Sequence, residues 1–397
     1  MRATPTALLV AACARAPLER APAAVARLPP PASTRFMMDA LPSYAAQVAL
    51  GAIPAFAWTP ELIKPVGLAY FFTLAVSTVY IGCQRQDLDE IAPITSQNAA
   101  LAPIVAGTSL TLLYALIKFT DINPATVYQF ACTAFGIVAW VELLQPLCGL
   151  AALSVGGDDV SYAKEDEQRV LGAGAAPAIA IALGIAIVYA QGPESTGGAL
   201  TLPAFAAINN LLAWAIATSA LGVLALESFA AGAALLVGLF CYDAFFVFKS
   251  DVMVTVATTI EAPAKFLFTS ASATASYPFS VLGLGDIVIP GAFVALMRQF
   301  DLDQADPEQG PAAARKGEPL QEFTYFRAAV TAYALGLALT FGANYFTQSG
   351  QPALVYIVPS LLAAALGTAA TRGDVETLVK YKSARAAEAA AEIAARK

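Results

Sequence analysis

Apolar runs of about 20 residues are long enough to cross the hydrocarbon core of a bilayer, and this chain reads as nine of them. They cover roughly 66–83, 99–118, 127–150, 171–190, 204–224, 229–248, 279–298, 327–346 and 351–370. Few folds are open to such a pattern, because backbone polar groups facing lipid must be bonded inside their own segment or within a closed barrel. The expectation is an all-α polytopic membrane protein of about nine transmembrane helices. Composition agrees: 13% of the 397 residues are charged, against about 25% in soluble domains, and the mean hydropathy is +0.64. The domain reading is a leader and far-side segment over 1–60, a nine-span domain over 61–374 and a cytosolic, charged helical tail over 375–397.

The missing residue types prune the chemistry. The chain has no histidine, which excludes a Ser–His dyad and an HExxH metal site. Its five cysteines form no CxxC pair and lie mostly in apolar segments, which argues against a disulfide framework and a zinc site. No metal or cofactor is expected. A net charge of −7 gives no reason to expect nucleic acid as a partner. For a hydrolase, carboxylates remain the obvious acid and base.

Two of the apolar runs each hold an aspartate: Asp243, within 236–248, and Asp286, within 281–291. A charge at the centre of a membrane helix costs about 2.5–3.5 kcal/mol on insertion scales, so such residues mark ion paths, proton relays or reaction centres. The two spans are consecutive and antiparallel, which puts both aspartates about 8–11 Å below one membrane surface if both segments are helical. Carboxylates facing one another in a low-dielectric site share a proton. One member then activates water while the other polarises a carbonyl.

The neighbouring residues fit a reaction centre. Gly283 and Gly285, flanking Leu284, let a second backbone approach Asp286. Pro290, four residues on, leaves the Asp286 carbonyl without its helical N–H partner, open to water or substrate. Tyr242 reads equally as a neighbour of the pair or as an interfacial aromatic. Gln351, Pro352, Ala353 and Leu354 enter the membrane from the same face. If the pair hydrolyses peptide bonds, an unwound substrate would need new backbone partners, and the start of the ninth span is expected to supply them.

Orientation follows from the basic residues. Loops after the odd-numbered spans and the tail hold 13 Lys and Arg, while the alternate loops hold only Lys64, Lys118, Lys249 and Lys265. The positive-inside rule then predicts a cytosolic C-terminus and a far-side start of the first span. Arg2, the short run 7–14 and its close at Ala12-Cys13-Ala14 resemble a minimal signal peptide. The arginine-rich stretch to Arg35 also fits an organellar transit sequence.

Tyr242-Asp243, Gly283-Leu284-Gly285-Asp286 and Pro352-Ala353-Leu354, in this order on late spans, resemble the three signature motifs of the GxGD intramembrane aspartyl proteases. The wider wording is similar to the signal peptide peptidase family, through Asn209-Asn210-Leu211, 252–257, Glu261-Ala262-Pro263, 283–291 and 351–359. The resemblance runs from about 66 to 374, dense after 205. It implies a presenilin-like fold and a catalytic Asp243/Asp286 pair, with Tyr242, Gly283 to Gly285 and Gln351 to Leu354 positioning substrate. Substrates would be membrane-embedded helical peptides of type II orientation, including leftover signal peptides, in the lipid bilayer of the endoplasmic reticulum or another endomembrane. Homo-oligomerisation stays open. The chain ends Ala394-Ala395-Arg396-Lys397, without the lysine spacing of the family's retrieval signal. The alternative reading is a proton-coupled transporter using the same carboxylates as a relay, although the two halves show no internal repeat.

Overall fold

The computed structural model describes residues 43–55, 60–87, 94–119, 124–156, 164–249, 262–269, 279–305, 324–347 and 351–383. Nine long helices are found among them: α1 (Pro60–Gln84), α2 (Ser96–Phe119), α3 (Pro124–Gly156), α4 (Lys164–Ala190), α5 (Leu202–Val223), α6 (Phe229–Lys249), α7 (Gly285–Ala305), α8 (Thr324–Thr347) and α9 (Leu354–Arg372). Eight of them are long and apolar enough to cross a membrane; the exception is α7, where Asp286, Arg298, Asp301 and Asp303 raise the charge. The protein is an all-α polytopic membrane protein, as its pattern of apolar runs implies.

α5 is the central helix and α2 a peripheral one. Of their apolar windows, 72% of the first and 6% of the second is buried inside the protein. Glycines set the closest approach of α3 to α4. A Cβ on Gly149 would lie 1.9 Å from the Val170 carbonyl oxygen, and one on Gly174 would lie 1.8 Å from that of Gln145. Gln145 Nε2 then donates to the Leu171 carbonyl at 2.9 Å across the same contact.

The seventh apolar run is not helical throughout. Phe279–Gly283 forms a strand, β2, paired antiparallel with β1 (Lys265–Thr269), and helix begins only at Gly285. The apolar run alone could not separate strand from helix. Five extended residues span about 17 Å, so the hairpin carries the chain to depth in place of helical turns. β1 needs partners on its second edge, and α5 supplies them. Asn209 Nδ2 and Asn210 Nδ2 donate to the Lys265 and Leu267 carbonyls, each at 2.7 Å, and the Leu267 N–H donates to Asn210 Oδ1 at 2.7 Å. Tyr70 Oη stands 2.7 Å from Asn210 Nδ2.

Both ends of the chain differ in part from expectation. A helix over 43–51 packs its Tyr44–Gln47–Gly51 face inward, with Gly51 against Leu211 of α5. In the tail, only α10 (Val375–Lys380) is helical among the described residues. Beyond it the backbone pairs with the start of α6, through Phe229 N–H to Tyr381 O at 3.3 Å and Ser383 N–H to Glu227 O at 2.9 Å. The leader, 1–42, and the last residues, 384–397, lie outside the described residues.

Candidate active site

The site is built where α6, α7 and α9 meet. Pro352 has no N–H and restricts Gln351 to extended conformations, so no helix runs back through Gln351, and α9 begins at Leu354. Its N-cap residue, Ala353, has no side-chain oxygen to bond the first free N–H groups. Asp243 of α6 supplies one instead: the Leu354 N–H donates to Asp243 Oδ2 at 3.0 Å. This carboxyl is 2% exposed and faces the positive end of the α9 dipole. Its second oxygen takes no part in this cap.

Asp286 arrives from the hairpin. The Leu284 N–H donates to the Ala264 carbonyl at 3.1 Å, and Leu284 in turn accepts the Ile287 and Val288 N–H groups at 3.1 and 2.8 Å. That turns β2 directly into α7, with Asp286 in the first helical turn and half-buried. The carboxyl folds over Gly283, where a Cβ would lie 3.8 Å from Oδ2. Nothing lies within 4 Å of a Cβ built on Gly285, so the space beside Asp286 is open. Asp243 and Asp286 are within electrostatic range of one another.

Pro290 lies inside α7, four residues after Asp286, but the Asp286 carbonyl is not left for water or substrate. Tyr333 Oη of α8 donates to it at 3.3 Å. The start of α9 is likewise short of free backbone groups. Pro352 lacks a donor, the Leu354 N–H is taken by Asp243, and the Ala353 carbonyl accepts from Tyr356 and Ile357 N–H, both at 3.1 Å, and from Thr340 Oγ1 at 3.4 Å. Few of its backbone groups are thus left to pair with an unwound substrate. β2 is better placed: β1 pairs with one edge, and no strand among the described residues pairs with the other. Ser280 and Val281 on β2 are exposed, and Asp286 follows three residues after the strand.

The remaining candidates divide. Tyr242 is within electrostatic range of both aspartates and lines a groove between α2 and α6, with Pro103, Gly107 and Thr111 on one wall and Gly238 and Phe246 on the other. Gln351 is tied locally, with Nε2 donating to Thr347 Oγ1 at 2.9 Å and Oε1 accepting from Tyr356 Oη at 3.3 Å. Tyr333, Thr340 and the Asn209–Asn210 brace were not expected in supporting roles. Only Tyr333 had a signal, since Pro290 leaves a carbonyl in need of a donor. Among the described residues, no group of three or more His, Cys, Asp and Glu side chains is placed to hold a metal ion.

With this geometry in view, comparison with known proteins places the chain. The family model described as signal peptide peptidase matches residues 86–385. A probable intramembrane protease of Schizosaccharomyces pombe is 32% identical over 314 residues, 78% of this chain and 92% of that protein. The signal peptide peptidases of Mus musculus and Homo sapiens are each 28% identical over 354 residues, 84% of this chain and 88% of theirs. The chain belongs to the signal peptide peptidase family and is an intramembrane protease.

Proposed function

We propose that Asp243 and Asp286 are a shared-proton dyad that hydrolyses peptide bonds inside the membrane. The observation that carries this reading is the convergence of three separated motifs on one point. Asp243 bonds the first N–H of α9, and Asp286 stands in electrostatic range at the end of a hairpin. One carboxylate takes a proton from water as its oxygen attacks the scissile carbonyl carbon, while the protonated partner hydrogen-bonds to the carbonyl oxygen. Collapse of the tetrahedral intermediate breaks the C–N bond, with a proton passing to the leaving nitrogen. Which member carries the proton belongs to the pair.

A helical substrate has its peptide bonds shielded and must unwind first. The edge of β2 that no strand among the described residues pairs offers backbone partners for an extended segment, as in strand addition, three residues from Asp286. Pro352, Ala353 and Leu354 then act on substrate through Asp243, which they hold in place, and the α2–α6 groove beside Tyr242 is a lateral approach. Each role extends the geometry without adding a new element.

The substrates proposed are transmembrane segments of type II orientation, including leftover signal peptides, in the endoplasmic reticulum membrane. Support comes from the basic-residue asymmetry and from relatives that are named signal peptide peptidase. The test has two arms. The purified protein in detergent should cleave a signal-peptide-like helix and be blocked by a hydroxyl-containing isostere of the tetrahedral intermediate; proton-coupled uptake without cleavage would favour the transporter. Glycosylation acceptors inserted between α6 and β1 should be modified and those between α7 and α8 should not. The reverse pattern would overturn the orientation.

A further inference from the structure

Among the described residues, the buried side-chain polar atoms short of well-formed hydrogen bonds are Tyr44 Oη, Gln47 Oε1, Arg85 Nε and Nη1, Trp214 Nε1, Thr218 Oγ1 and Ser219 Oγ. They come from three elements that meet in one seam. Tyr44 and Gln47 stand one turn apart on the buried face of the 43–51 helix. Trp214 and Thr218 stand one turn apart on α5, with Ser219 beside them. Arg85 enters from the end of α1, and its Nε is 3.5 Å from where a Cβ on Gly222 would sit, one turn beyond Thr218. The Tyr44 and Trp214 rings meet edge-on at 5.9 Å, and the Tyr44 hydroxyl is close enough to Arg85 for a weak hydrogen bond, with Glu142 in electrostatic range.

A buried polar atom left dry is costly, so this many along one seam call for a guest. Its chemistry follows from the atoms. Arg85 Nε, Arg85 Nη1 and Trp214 Nε1 only donate, Gln47 Oε1 only accepts, and the three hydroxyls do either. The guest must therefore both accept and donate. An oxyanion would suit the donors but turn negative charge toward Gln47 Oε1 and the Glu142 carboxylate, which already pairs with Arg85 Nη2. Water meets both demands, and buried water typically makes about three hydrogen bonds to groups otherwise unsatisfied. We infer that the seam between the 43–51 helix, α1 and α5 binds a cluster of ordered water molecules within the apolar bundle.

The seam differs from its surroundings. Trp140 packs against Trp214 at 5.5 Å with its ring tilted by 56°, yet its Nε1 donates to the Leu211 carbonyl at 3.1 Å and needs no guest. The Ile53–Ala55 turn that follows the 43–51 helix packs against both α5 and β1. Water thus seats a segment that touches the hairpin leading to Asp286.

The test is X-ray radiolytic footprinting of the full-length protein in detergent with H2¹⁸O, which oxidises side chains next to bound water. Trp140 is the internal control, being 4% exposed where Trp214 is 2% exposed. The expected result is ¹⁸O incorporation at Trp214 and Tyr44 roughly tenfold faster than at Trp140, as bound water would give. Thr218→Val/Ser219→Ala should bring Trp214 down toward the Trp140 rate and lower the Tm. Equal rates at the two tryptophans in the wild type would overturn the inference, as would a Tm raised by the double substitution, the mark of a dry seam. Protection of Trp214 by added sulfate or phosphate would overturn it too, making the guest an anion. None of these readouts depends on cleavage, so the result stands apart from the fate of the dyad.

Discussion

Asp243 and Asp301 do the same structural job at two places in the bundle, and the difference between them separates a brace from the proposed reaction centre. Each caps the start of a helix from a different helix. Asp301 uses both oxygens: Oδ1 accepts the Tyr325 N–H at 3.2 Å and Oδ2 accepts the Phe326 N–H at 2.8 Å, fixing the first turn of α8. Asp243 uses one, for Leu354 of α9. Its other oxygen is uncommitted by any cap, and a second carboxyl stands within electrostatic range. A capping aspartate with both oxygens bonded can only hold; one with an oxygen to spare and a neighbouring acid can also exchange a proton.

The comparison breaks first at Asp243. Asp243→Asn keeps an oxygen to accept the Leu354 N–H but removes the acid, so cleavage should fall by about a thousandfold or more while the protein stays folded. Turnover of a membrane-helix substrate, read beside the Tm in detergent, checks both halves. Asp301→Ala should do the opposite. Removing both acceptors from a buried helix start should destabilise the fold by about 1–3 kcal/mol, with cleavage per folded molecule unchanged. A thousandfold loss in folded Asp301→Ala would erase the distinction.

Smaller effects sharpen it. Tyr333→Phe removes the only hydroxyl bonded to the Asp286 carbonyl among the described residues. It should lower stability by about 1 kcal/mol and reduce kcat several-fold with little change in KM. Thr340→Val removes a 3.4 Å contact to the Ala353 carbonyl, while the helical N–H donors to that oxygen remain. The expected loss is about 0.5 kcal/mol or less, visible as a small shift in the unfolding midpoint.

Asp243 and Asp286 stood out in the sequence because a carboxylate inside an apolar run is costly, and the helical bundle was legible because lipid leaves the backbone few options. Asp301 was not. It falls just beyond the predicted seventh span, where charges read as a solvated loop, and only the packing of α8 on α7 reveals its two partners. The hairpin was missed for a different reason: Phe279–Gly283 is as apolar as the helix that follows, and it is a strand because it pairs with β1, whose other edge is braced by Asn209 and Asn210. The 43–51 helix was hidden because its buried face carries Tyr44 and Gln47 where an apolar stripe would have announced it. Pairings across such distances leave no local period to read.

The claim that Asp243 and Asp286 act as one unit is tested most directly by the rates of Asp243→Asn, Asp286→Asn and the double substitution on one membrane-helix substrate. A shared-proton dyad predicts that each single variant is as inactive as the double, because losing either member removes the whole function. Losses that multiply, or clear turnover by either single variant, would contradict it.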